Sequence, residues 1–244
     1  MKRLWRIAPL VAAAAVSATP SWAGPPYVTD DPAPTDAGHW EIYNFVDGDH
    51  TPGLTAGEAG FDINYGAAKD VQLTLVLPLA YTDATALDVG GGQIETAAKF
   101  KLLHQDGFGL DVAVFPRAFI PTSGGQFGPD HVNLFLPIWA GKDFGRWHVF
   151  GGGGFQINPG SGQRDFWTGG LAVTRDLSDN LNFGAEVYGQ TAEAKDSRAW
   201  AGVNLGVDWR LTPHWSLLGA GGPGIVNARS QGLYDFYLAL KADY

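Results

Sequence analysis

The sequence holds no cysteine among its 244 residues. Disulfides, zinc–thiolate sites and thiol nucleophiles are therefore excluded. Positive charge is scarce, with 16 Lys and Arg against 25 Asp and Glu, a net charge of −9. So acidic a chain is a poor match for nucleic acid, and no such partner is expected. Beyond the first two dozen residues no apolar run approaches the ~18–20 residues that a membrane-spanning helix requires. No G-x-S-x-G is present. Gly219, Gly221 and Gly224 spell G-x-G-x-x-G, but Pro223 falls inside it and a polar stretch follows where a βαβ unit would need a helix. The six histidines (His39, His50, His104, His131, His148 and His214) form no H-x-H or H-x-x-x-H pair. No metal and no cofactor is expected from these spacings.

What is present points to β-structure. Glycine numbers 34 and aromatics make up 13% of the chain, a composition suited to strands and tight turns. Lys2, Arg3 and Arg6 precede an apolar stretch from Ile7 to Ala18, and Ser21-Trp22-Ala23 reads as a small-x-small cleavage site. Residues 1–23 are therefore expected to be a secretory signal peptide, too short in its apolar part to be a membrane anchor. Removing them leaves 221 residues and takes away three basic side chains, moving the charge from −9 to −12.

The final strand carries the sharpest pattern. Phe236, Leu238, Leu240, Ala242 and Tyr244 share one face, while Asp235, Tyr237, Ala239, Lys241 and Asp243 share the other. A strand alternates with period two, so one face is apolar and the other wet. Exposed in a soluble sheet, such a strand would aggregate; as a stave of a lipid-facing barrel it has a place. It also resembles the C-terminal signal that the outer-membrane barrel assembly machinery reads, which singles out Phe236, Leu238, Leu240 and Tyr244.

Eleven further strands are predicted at 39–47, 60–68, 71–82, 93–103, 108–119, 131–141, 146–156, 165–175, 181–190, 199–210 and 215–221, with the last at 232–244. Registers are clear in six of them and ambiguous in the first, seventh and eleventh. Short links at 69–70, 104–107, 142–145, 176–180 and 211–214 alternate with longer polar or Gly-rich links at 48–59, 83–92, 120–130, 157–164, 191–198 and 222–231. Short periplasmic turns and longer outer loops are the habit of outer-membrane barrels, and termini on one side require an even strand number. Trp40, Trp139, Trp147, Trp209, Trp215 and Tyr244 fall near the inferred periplasmic ends, where an aromatic girdle belongs. The expected fold is all-β: a single transmembrane up-and-down antiparallel barrel of about 12 strands over residues 39–244. Residues 24–38 form either a periplasmic lead-in or a small plug turned into the lumen.

Twelve strands lie between a barrel filled by its own side chains and an open aqueous pore. The inward register supplies Glu95, Lys99, Lys101, Asp111, Arg117, Glu186 and Asp208, with Asp62, Asn64, Asn182, Asn204, Asp235 and Lys241. These would either brace the wall as salt bridges or line a solute path in which Lys99, Lys101 and Arg117 steer anions. Pro78, Pro116 and Pro137 fall inside strands, where proline cannot donate to the ladder. They mark a bulge, a kink or a lateral gap toward the bilayer.

Tyr27 to Pro32 followed by Gly38-His39-Trp40-Glu41, together with Phe115-Pro116-Arg117 through Ile120-Pro121-Thr122-Ser123-Gly124, resembles a family of proteobacterial outer-membrane proteins known as MetA-pathway phenol-degradation proteins or transporters. The resemblance implies a channel for small, hydrophobic or aromatic solutes, with outer-membrane lipid, the assembly machinery and the solute as partners. Two other functions stand beside it. A lipid-modifying enzyme would need a serine beside a base, for which Ser123 and His131 are the nearest pair. A purely structural surface barrel would need longer, more aromatic loops than these. No catalytic residue is assigned. Replacing Tyr244 with Ala is expected to lower the yield of heat-modifiable barrel in outer membranes more than any single lumen substitution; normal yield in that variant would count against the assembly role.

Overall fold

A computed structural model describes residues 25–123 and 127–244. The expected signal peptide lies outside the described residues. The strands are β1 (Trp40–Thr51), β2 (Leu54–Ala68), β3 (Val71–Asp83), β4 (Leu87–Gly91), β5 (Gln93–Leu103), β6 (Asp111–Val114), β7 (Arg117–Pro121), β8 (Asn133–Phe144), β9 (Trp147–Ile157), β10 (Phe166–Ser178), β11 (Leu181–Gln190), β12 (Trp200–Thr212), β13 (Trp215–Val226) and β14 (Tyr234–Asp243). Two single-turn helices, α1 (Gln105–Phe108) and α2 (Ala228–Gln231), sit in links.

These segments make twelve staves. β4 and β5 both pair with β3 and form one stave interrupted at Gly92. β6 and β7 both lie between β5 and β8 and form another, interrupted at Phe115 and Pro116. Every neighbour is antiparallel, and β1 pairs with β14 from Glu41↔Asp243 to His50↔Tyr234. Trp40 N–H donates to the Tyr244 carbonyl (2.7 Å) and Tyr244 N–H returns to Trp40 (3.0 Å). The barrel is thus a closed, up-and-down antiparallel barrel of 12 strands.

The outer wall is apolar. Leu73, Leu75, Leu77 and Leu79 on β3, Leu134, Leu136 and Ile138 on β8, Phe183 and Val187 on β11, and Leu238 and Leu240 on β14 are between 38% and 58% exposed. Water would not tolerate so continuous a surface of large side chains; a bilayer covers it. Trp40, Trp147, Trp209, Trp215 and Tyr244 lie exposed near one end, as a girdle requires. Trp139 does not join them. It points inward at 2% exposure and packs with Phe115 and Phe135. Its alternation partners Leu134, Leu136 and Ile138 take the lipid face, which forces residue 139 inside.

The three ambiguous registers resolve with large residues inside. On β1, Tyr43 and Phe45 face the lumen and Asn44 faces out, its Nδ2 donating to the Gly60 carbonyl at 3.5 Å. Tyr43 and Phe45 join Leu218 of β13 and Ala239 of β14 in an apolar cluster on the inner wall. On β9, Phe150 and Gln156 turn inward.

Several links expected to be long are largely strand. Residues 48–59 are paired up to Thr51↔Leu54, leaving only Pro52 and Gly53 as the turn. Gly53 has φ +88°, the left-handed conformation that a two-residue hairpin favours. Part of 83–92 forms β4, and 222–226 continues β13. Polar sequence does not end a strand whose wall continues past the bilayer into water. The irregular links that remain on this side, among the described residues, are at 122–123, 127–132, 158–165 and 191–199.

The prolines interrupt the wall in one sector. Pro116 breaks the stave but not its register, since Phe100↔Val114 continues to Ala97↔Arg117 and Val114↔Ile138 to Arg117↔Phe135. Pro78 sits at a bulge: Val76↔Glu95 is followed by Leu79↔Gly91, so four steps oppose three. Gly92, Ala98 and Phe115 donate to the carbonyls of Pro78, Pro116 and Pro137, each at 3.2 Å. In an antiparallel ladder a residue's N–H and C=O point the same way. The three missing donors therefore fall on three consecutive seams.

Gly152, at φ +149°, has the Ile138 carbonyl 2.1 Å from where a Cβ would stand. Gly152→Val should destabilise the barrel by at least about 1–3 kcal/mol through overpacking and lower the urea midpoint of the folded band. Gly107→Val, with open space around it, should leave that midpoint in place.

Candidate functional site

Residues 25–38 form a strap inside the barrel, which the wall holds at several points. The backbone N–H groups of Val28 and Thr29 donate to the two carboxylate oxygens of Glu186 at 2.9 and 2.8 Å. Thr35 donates through both its N–H and its hydroxyl to Gln72 Oε1, at 2.8 and 3.1 Å. Lys99 Nζ reaches Asp30 at 3.0 Å and the Ala33 carbonyl at 3.3 Å. Near the girdle end, Gly38 N–H donates to the Gly66 carbonyl. Thr29 and Asp31 are each only 1% exposed. Asp31 accepts from Ala33 N–H, and burial pushes its carboxyl pKa up against the opposing pull of Lys99. Burial, then the carboxylates of Glu186 and Asp208, raise the Tyr27 phenol.

Glycines on the inner wall make the room. A Cβ at Gly170 would stand 2.1 Å from the Thr29 hydroxyl, at Gly184 2.7 Å from the Tyr27 hydroxyl, and at Gly206 2.6 Å from the Tyr27 ring. Gly184 and Gly206 are cross-strand partners. The strap thus lies in a track of missing side chains across β10, β11 and β12.

The inner-wall cations Lys99, Lys101, Arg117 and Lys241 are each paired with a carboxylate. Arg117 grips Glu95 through Nε (2.7 Å) and a terminal nitrogen (2.8 Å). Its guanidinium lies over Phe115 and Phe119, and Lys99 lies over Phe115 at 4.8 Å. Lys101 pairs with Asp111 at 2.8 Å. Lys241 pairs with Asp243 at 3.3 Å, and Asp208 has one buried oxygen without a hydrogen-bond partner. Asn64, Gln72 and Thr74 form a buried hydrogen-bonded patch beside the strap.

Three cavities run in series past the strap. The mouth holds about 570 Å³ between Pro25 to Val28 of the strap and the far ends of the staves. At the other end, a cavity of about 270 Å³ opens beside the strap's Ala33 to Asp36, Glu41 and Lys241. Between them lies a waist of about 40 Å³ that shares Pro25, Asp62, Glu95 and Arg117 with the first and Ala33 and Glu41 with the second. A waist of that volume accommodates about one water molecule.

The structure brings Glu95, Lys99 and Arg117 together at the waist. Glu186 is the strap's anchor rather than a bare wall charge. Lys101, Asp111 and Asp208 lie elsewhere on the inner wall. All three cations expected to steer anions, Lys99, Lys101 and Arg117, are matched by carboxylates. Pro78 and Pro137 are buried and Pro116 is exposed. Leu238, Leu240 and Tyr244 face outward and Phe236 is half-buried. Ser123 accepts from Phe127 N–H and His131 pairs with Asp130; among the described residues Ser123 and His131 share no hydrogen bond. The inner aromatics Tyr43, Phe45 and Trp139 carry no signal in the sequence that sets them apart from lipid-facing ones. The glycine track was visible only as glycines recurring on one register of adjacent strands.

No family model matches the chain, and neither does any curated protein. Among solved structures, the chain is similar to an outer-membrane channel from Pseudomonas putida F1, with TM-score 0.68 and 14% identity over 88% of this chain and 98% of that one. It is also similar to the translocator domain of the autotransporter NalP from Neisseria meningitidis, with TM-score 0.49 and 11% identity over 86% and 89%. With its apolar outer wall and closed antiparallel staves, the chain is a bacterial outer-membrane β-barrel.

Glu186→Gln leaves one acceptor for two N–H groups. Losing a charge-assisted hydrogen bond costs about 1.5–3 kcal/mol, so the population of released strap should rise roughly 10- to 100-fold. Gly206→Val should act likewise by displacing Tyr27. Both are expected to raise single-channel conductance in planar bilayers; conductance equal to that of the unaltered protein in both variants would mean that the strap does not set the waist.

Proposed function

We propose that this barrel is a channel for small solutes, closed at its waist by the strap and opened by the strap's displacement. The observation that carries the reading is the series of cavities of about 570, 40 and 270 Å³ along one lumen. A structural barrel has no need of such a route, and a lipid-modifying enzyme would need a nucleophile and base in register. Solute enters the wide mouth, passes the Glu95–Arg117 and Lys99–Asp30 pairs when the strap shifts, and leaves beside Glu41 and Lys241. The fold shared with the Pseudomonas putida channel is in keeping with this role.

The solute class follows from the walls. Phe45, Val76, Phe119 and Tyr237 line the mouth, so small aromatic or hydrophobic molecules find apolar contact there. The family resemblance points the same way. A second route is favoured by the proline sector: three consecutive seams each lack a ladder donor, which lowers the cost of parting the wall toward lipid. The lipid-facing C-terminal strand would be what the assembly machinery recognises.

The test is flux through refolded protein in liposomes, with a charged sugar acid, a neutral sugar and a small aromatic compared side by side. Faster passage of the aromatic, raised further by Glu186→Gln, is expected. Equal passage of all three would replace this reading with a general pore. No passage even in Glu186→Gln would end the channel reading. If the sideways route is used, Pro116→Ala should slow the aromatic at least several-fold and leave the neutral sugar unchanged.

A further inference from the structure

The mouth cavity has a strongly one-sided charge. Six carboxylates line it, from Asp47, Asp49, Glu58, Asp62, Glu95 and Asp235, against one guanidinium, Arg117. That guanidinium is already engaged by both oxygens of Glu95. Two residues of the cavity lining also hold a buried acceptor without a donor. Asn204 is 4% exposed and its Oδ1 has no hydrogen-bond partner, although its Nδ2 donates to Glu186 (3.0 Å) and Asp235 (3.1 Å). Asp235 accepts from Asn204 and from the Tyr188 hydroxyl through Oδ2, while its buried Oδ1 is unpartnered. Buried acceptors without donors are costly. Both oxygens are sealed from the cavity by their neighbours, so they offer a ligand no contact but add to the negative potential at the mouth.

The same cavity carries two aromatic pairs. Tyr188 and Trp200 meet edge to face at 5.5 Å and 88°. Phe45 and Tyr237 stack at 6.2 Å and 9°. Aromatic faces beside carboxylates in a partly enclosed space are the chemistry that holds ammonium groups bearing carbon substituents. A bare metal ion fits less well, since no group of three or more His, Asp or Glu among the described residues is placed to hold one.

We infer that the mouth of the lumen is a binding site for a small organic cation, an alkylated or aryl-substituted ammonium, with Asp47 and Asp235 facing the charge and Trp200 with Tyr188 facing its carbon substituents. This deepens the channel reading by naming the charge of a preferred solute and rests on it for the step after binding. Binding itself does not require passage.

The test uses the refolded full-length barrel in detergent micelles and isothermal titration with choline, with its uncharged isostere 3,3-dimethylbutan-1-ol, and with calcium. Choline should bind at least tenfold more tightly than the isostere. Asp47→Asn combined with Asp235→Asn should lose at least tenfold in choline affinity, and so should Trp200→Leu. Asp88→Asn, an exposed acid of β4 outside the cavity lining, should leave it unchanged. Heat-modifiability on gels shows that each variant is folded, and the comparison of choline with its isostere on the unaltered protein needs no variant. Equal binding of the two compounds overturns the inference. So does choline binding that calcium displaces and Trp200→Leu leaves intact, because that describes diffuse acidity. Liposome flux on the same preparation separates the two readings: flux together with equal binding of choline and its isostere sinks only the cation site, and choline binding without any flux sinks only the channel.

Discussion

Pairing of β1 with β14 is the constraint on which the rest of the structure depends. In hydrocarbon every backbone N–H and C=O must be satisfied internally, and a sheet achieves that only by having no edge. The register from Glu41↔Asp243 to His50↔Tyr234 removes the last two edges. Once the ring is closed, each stave has one lipid face and one lumen face, and alternation assigns every side chain to one or the other. Leu134, Leu136 and Ile138 outside commit Asn133, Phe135, Pro137 and Trp139 to the inside.

Closure also creates a difficulty that the interior must solve. Twelve staves enclose more space than their own side chains fill, yet too little for bulk water to screen charge well. The chain answers in three ways. Opposite charges are placed on neighbouring staves, as in Arg117 with Glu95 and Lys101 with Asp111. Aromatic and aliphatic residues form inner clusters around Tyr43 and Trp139. The strap then fills the middle, seated on glycines of β10, β11 and β12 and held by the two oxygens of Glu186.

These devices are unevenly spread, and the unevenness is what gives the lumen direction. Strap and salt bridges crowd the waist, while the mouth keeps volume, aromatic faces and unanswered carboxylates. The wall is uneven as well. Pro78, Pro116 and Pro137 remove ladder donors from consecutive seams, whereas the opposite sector, from β9 through β12, pairs in unbroken register over most of its length.

Strand number, closure and the lipid-facing register of β3, β8 and β14 were legible in the sequence by itself. They rest on period-two alternation and on turn residues, which are local properties. The extent of the strands on the long-link side was not legible, because a wall that rises out of the bilayer is polar and looks like loop. Nor was the inward turn of Tyr43, Phe45 and Trp139, where an aromatic residue suits lipid, interface and packed lumen alike. The sequence offered the lumen charges as a set; only the tertiary structure decided that Arg117 grips Glu95, that Lys99 holds Asp30, and that Glu186 anchors residues 158 and 157 positions away in the chain. Face assignment follows from neighbours in sequence, whereas partner choice inside a closed ring follows from which staves meet across it.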